Sequence, residues 1–282
     1  MKRCDKLRQE NPRGKTNQST GKQPISTHLI PVRLTSIYWG RTALIYLLKL
    51  MCFGPIWSAM SMSICGIVTL LCLAYGVDIR VAAAPIFLFV KEWIQYQQYK
   101  DLTCNRRNKI LSTLSWVHIS FQPLFINLLF SYFAPNRRRE YSIVLWLCVI
   151  FGIFNVFRLK ELRGSITSEC KQSKHDMCQP ESCSYLGKHH LAYGFQLQSA
   201  DYLLTPSAFT YVLLTFAPVF ILGPRLLGGL HLAVALFAVY ISGFRGGEAA
   251  AIWCLNSFWV SFAAIFVIMQ KSGIGFKRYI TA

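Results

Sequence analysis

The chain has 282 residues, 53% hydrophobic and 14% aromatic, with 15% charged and a mean hydropathy of +0.35. An ordinary soluble domain is nearer a quarter charged, and the apolar residues here gather in blocks of bilayer-spanning length, which argues against a soluble core. The net charge of +18 is spread over connectors and leader without an RNA- or DNA-binding motif, so nucleic acid is disfavoured as a partner and anionic lipid headgroups are favoured.

Residues 1–50 are basic and rich in Ser, Thr and Gln, with Asp5 and Glu10 the only acids. Two readings stay open for this leader: a transit segment that would place the protein in an organelle membrane, or a disordered basic tail beside a membrane. Thr42 to Phe53 is apolar but short and carries Lys49, so it reads as an interfacial approach. Apolar blocks at 57–76, 81–99, 110–133, 142–158, 206–223, 226–243 and 249–270 then predict an all-α, membrane-embedded bundle of about seven transmembrane helices over residues 55–270. Residues 271–282 form a tail, and the bilayer itself is the first partner.

Seven spans put the termini on opposite sides, and two cues about orientation oppose each other. Positive charge is nearly balanced between the sides, and the basic leader tips the N-terminus toward the cytosol or stroma. Cysteine usage points the other way. Cys104 and the connector residues Cys170, Cys178 and Cys183 share one side, where they could make two disulfides in an oxidising compartment or remain four thiols. The connector 159–205 lacks a tight Cys-x-x-Cys pair, which disfavours zinc there.

The second block carries Glu92, Gln95, Tyr96 and Tyr99 at i, i+3, i+4 and i+7, a polar stripe suited to a bundle interior. Lys91 lies off that stripe, free to snorkel or pair. The alternative is that the helix ends early and Gln97 to Lys100 are interfacial. In the third block Ser115, His118 and Gln122 share a face, and Pro123 predicts a kink. Polar groups at that depth mark a functional interior or a helix contact, and Asn127 suits the contact. His231 in the sixth block and Glu248 opening the seventh complete the set, although Glu248 is equally suited to capping its helix. Cys254 reads as packing, and His189-His190 as an interfacial pair. Glu92, Ser115, His118, Gln122, His231 and Glu248 are thus the ligand or relay candidates for a small molecule or ion. His118 and His231 are the candidate ligands of a metal or haem. No cofactor, substrate or reaction follows from these residues.

The segments Ser115-Trp116-Val117-His118-Ile119-Ser120-Phe121-Gln122-Pro123-Leu124-Phe125-Ile126-Asn127 and Gly247-Glu248-Ala249-Ala250-Ala251-Ile252-Trp253-Cys254, with Trp57-Ser58, resemble an uncharacterised family of polytopic membrane proteins known only as a domain of unknown function. Its motifs are His-Ile-x-Phe-Gln-Pro-x-x-Ile-Asn and Glu-x-x-x-Ile-Trp-Cys. The resemblance covers about residues 55–270 and implies a seven-helix bundle without an activity. The long leader departs from the family's short N-termini, which supports an added targeting segment. A more distant likeness to intramembrane zinc hydrolases of the ceramidase and progestin-receptor type lacks the late His-x-x-x-His pair, since Ala235 stands four residues after His231. Two functions therefore stand: a transporter, sensor or small-ligand binder with a polar interior site, or an intramembrane metal-dependent lipid hydrolase.

Overall fold

Proline, glycine and short polar caps mark where the helices begin and end. The computed structural model describes residues 54–159, 177–198, 208–253 and 256–273. Helix α1 (Pro55–Ala74) carries its proline in the first turn, where the missing N–H has no intrahelical partner to lose. It closes on Gly76 at φ +59°, with Val77 N–H donating to Cys72 O at 2.8 Å, the bond of a Schellman motif. Asp78 caps α2 (Ile79–Tyr99) by accepting from Arg80 N–H at 2.9 Å. Asn105 caps α3 (Arg106–Tyr132) by accepting from Asn108 N–H at 3.0 Å.

A 3-10 turn at Pro135–Arg137 leads into α4 (Arg138–Val156). An antiparallel hairpin follows, β1 (Cys183–Leu186) with β2 (Leu191–Gly194), in a register that sets Cys183 opposite Gly194 and Leu186 opposite Leu191. Then come α5 (Ala208–Leu222), α6 (Arg225–Ile241), α7 (Gly246–Ile252) and α8 (Asn256–Lys271). All the described residues fall in one compact unit, Phe53–Ala282. Within it α3 packs on α2, α4, α5 and β1, α8 packs on α1, α2 and α6, and α7 lies on β2.

The described residues are mostly helical, with eight α-helices, and three differences from the expected bundle stand out. The hairpin corrects the all-α expectation: Leu191, Tyr193, Phe195 and Leu197 alternate along the chain and are all buried, so residues 177–198 of the connector form a second packing layer. The seventh block is two helices, α7 and α8, in place of one. Only Pro55–Ala74, Arg106–Tyr132 and Pro135–Val156 are long and apolar enough to cross a membrane among the described residues; α5, α6 and Phe258–Lys271 are shorter apolar helices. The expected leader, Thr42 to Phe53, Cys170, Cys254 and residues 274–282 of the tail lie outside the described residues.

Prolines sit inside α2, α3 and α5 at Pro85, Pro123 and Pro218. A proline deprives the carbonyl four residues earlier of its helical partner. For Pro218 that carbonyl is Leu214 O, and Asn127 Nδ2 donates to it at 2.8 Å while also donating to Pro123 O at 2.8 Å. Asn127 is a bridge between two proline-containing helices, which is the contact role its sequence position allows.

Candidate functional site

Helix α2 turns Lys91, Glu92, Gln95 and Gln98 into the interior, all buried. These positions share one helical face, rotated slightly from the expected stripe, so that Tyr96 and Tyr99 are only half-buried. Lys91 does not snorkel. Its ammonium is buried and donates to Ala250 O at 3.2 Å. Helix α3 answers with a polar face of its own, Asn108, Ser112, Ser115, His118 and Gln122, also buried.

The two faces meet through short side chains. Gln98 Nε2 donates to Ser115 Oγ at 3.3 Å and approaches Ser112 Oγ at 3.5 Å, and Ser115 donates back to Leu111 O at 2.9 Å. Ser112 donates to Asn108 Oδ1 at 3.1 Å. Asn108 then pairs with Ser184 of β1 as a strand would, accepting from its N–H at 2.9 Å and donating to its carbonyl at 3.0 Å. Deeper along α3, one His118 ring nitrogen, Nε2, bonds Phe87 O at 2.7 Å while the imidazole stacks on Phe87 at 3.5 Å between centroids. Gln122 Oε1 accepts from Tyr211 of α5 at 3.0 Å.

The hairpin closes one end of this seam. Glu248 Oε1 accepts from the backbone N–H groups of His189 and His190. Gly247 comes so close to the Tyr193 carbonyl that no Cβ would fit between them. Gln95 Nε2 donates to Tyr193 Oη at 2.9 Å, and Tyr99 Oη lies 2.7 Å from His190 Nδ1, which also receives Leu191 N–H at 2.6 Å. Burial, reinforced by the charge of Lys91, pushes the His190 imidazole down to about 3, so it is neutral. Burial also lowers His189 and raises Tyr185, the latter with help from the Glu248 charge. A disulfide joins Cys104, just before α3, to Cys183 at the start of β1, and Cys178 is disulfide-bonded too.

Several buried polar atoms have no hydrogen-bond partner among the described residues: Gln98 Oε1, His118 Nδ1, Gln122 Nε2, Asn127 Oδ1 and Glu248 Oε2. His231 lies apart from the seam, enclosed by Phe216, Trp259, Trp253 and Phe130 with ring centroids at 4.9 to 6.0 Å. Glu92 is buried on the seam face of α2. The fold therefore brings Ser115, His118 and Gln122 together on one face of α3, but it does not gather Glu92, His118, His231 and Glu248 into a metal-ligand group. Among the described residues the group of three or more with that spacing is Cys104, Glu181 and Cys183, and both its sulfurs are committed to the disulfide.

Sequence reasoning passes over Gln98, Asn108, Ser112, Tyr193 and Tyr211, and it reads His190 as one of an interfacial pair where the structure buries it. Asn108 and Ser112 were visible as a continuation of the Ser115 face, one turn at a time toward the helix N-terminus. The rest depend on pairing between α2 and α3, with the hairpin or with α5, which no local spacing announces.

The chain belongs to a family of unknown function, DUF5765, whose model matches residues 57–273 and so includes every residue of this seam. No curated protein and no solved structure matches the chain.

Proposed function

We propose that the chain is a multi-pass integral membrane protein whose seven apolar blocks cross the bilayer, the last as the broken pair α7–α8, and whose α2–α3 seam binds and passes a small polar solute or ion. The outer faces support embedding. Leu70, Trp146, Phe154, Phe209, Ile221 and Leu236 are exposed while Lys91, Glu92, Gln95 and Gln98 of α2 and Asn108, Gln122 and Asn127 of α3 are buried, the reverse of a soluble bundle. A discontinuous span is the usual place where a membrane bundle lines a solute site. The disulfide at the hairpin end supports an oxidising compartment on that side of the bilayer.

The observation that carries the solute reading is the face of α3, where His118 and Gln122 each hold one partner and keep one buried atom uncommitted. A packing role alone would commit both. The hydrolase alternative gains nothing from this geometry, because His118 and His231 occupy separate aromatic environments.

Two measurements test the proposal. The protein is expected to stay with membranes through alkaline carbonate extraction; release would end the membrane reading. Reconstituted into vesicles loaded with a pH- or ion-sensitive dye, it is expected to dissipate an imposed gradient, with His118→Phe and Gln122→Leu each slowing the flux about tenfold, the cost of one lost hydrogen bond to the solute. Variants that melt as the parent does and conduct equally well would refute it.

A further inference from the structure

Beside the Cys104 disulfide a groove of about 430 Å³ opens on the outer face of α3, and among the described residues Cys104, Arg106, Lys109, Ile110, Thr113 and Leu114 line it. Arg106, Ile110 and Leu114 follow one another at four-residue steps, so one stripe of the helix runs from a cation to two exposed apolar side chains. The Arg106 guanidinium has no hydrogen bond or ion pair with any described residue. Lys109 makes only a half-exposed pair with Glu181 at 3.6 Å.

We infer that this groove holds an anionic glycerophospholipid, its phosphate on Arg106 and Lys109 and an acyl chain along Ile110 and Leu114. The chemistry of the two halves favours that occupant. A guanidinium offers a planar pair of donors that fits a phosphate, and a basic notch at the headgroup level with apolar side chains below it matches an amphiphile with a negative head. A free phosphate would use the cations and leave the apolar half without a role. The inference rests on the membrane reading above, yet it can fail alone: a protein that stays with membranes but shows no headgroup preference rejects only the groove.

The test is native mass spectrometry of the detergent-purified, delipidated full chain, offered equal amounts of phosphatidylglycerol and phosphatidylcholine. The expected result is one retained phosphatidylglycerol at about a thirtyfold preference, two surface cations' worth of attraction. Arg106→Gln with Lys109→Gln is expected to bring the ratio near one, and Arg139→Gln, on an exposed cation at the far end of the bundle, to leave it unchanged. Millimolar inorganic phosphate is expected not to displace the lipid. Should the double variant lose its melting transition, Arg106→Gln alone is read in its place. Equal retention of both lipids, a preference untouched by the Arg106 substitution, or displacement by phosphate alone would each overturn the assignment.

Discussion

Glu248→Ala is the sharpest probe of the hairpin. In the parent, one carboxylate oxygen accepts the amides of both His189 and His190, and the carboxylate is itself buried. Hydrogen bonds to a charged group contribute about 1.5–3 kcal/mol each, and the His189 amide, being closer to solvent, counts at the lower end. Removing both, with a buried donor left unsatisfied, should therefore cost about 3 kcal/mol of local opening free energy, or roughly a hundredfold in exchange rate. Hydrogen–deuterium exchange in detergent reads this directly at the His189 and His190 amides. Glu248→Gln keeps an acceptor in place and loses only the charge, so its acceleration should be nearer fivefold, about 1 kcal/mol. Exchange at these amides within twofold of the parent in Glu248→Ala, or equal acceleration in Ala and Gln, would refute the clamp.

Two glycine substitutions should act with opposite sign. Gly247→Ala drives a Cβ into the Tyr193 carbonyl, whereas a Cβ on Gly229 meets nothing within 4 Å. Thermal melting should show the first destabilised by about 1–3 kcal/mol and the second, in the middle of α6, stabilised by up to about 1 kcal/mol. Stability should also fall in acid because of His190. Its folded value, about 3, lies below the usual 6.5, so the folded form stays neutral while the unfolded chain takes up a proton. That stability is present above pH 6.5 and declines by about 1.4 kcal/mol per pH unit from there toward pH 3. A melting series in which His190→Gln keeps the parent's slope would refute this cause. Cys104→Ser opens a loop between residues separated by 79 positions, which chain-entropy arguments value at about 4.5 kcal/mol; denaturation under non-reducing conditions should show the loss, and reductant, which also opens the Cys178 disulfide, should bring parent and variant to one common lower stability.

Much of this protein was legible from spacing alone. Apolar blocks located the helices because a segment that must satisfy its own backbone and face a nonpolar surroundings shows it in every residue. Gly76, Asp78 and Asn105 stand at helix ends for an equally local reason: a left-handed turn and a capping side chain act within three or four residues. The face holding Ser115, His118 and Gln122 was equally local, being set by the helical repeat. Even the hairpin left a trace in the alternation of Leu191, Tyr193, Phe195 and Leu197, hidden inside a polar connector.

Only the tertiary structure decided which polar faces meet. Lys91 is buried because Ala250 O receives it, His190 is neutral because α2 and the hairpin close over it, and His231 is removed from the seam by four aromatic rings drawn from α3, α5, the residue after α7, and α8. Each of these outcomes joins residues tens of positions apart or more. A helical period states which side chains share a face, but the partner that face receives is set by packing of the whole chain, and here that packing builds a polar seam between α2 and α3 while enclosing His231 in aromatic rings.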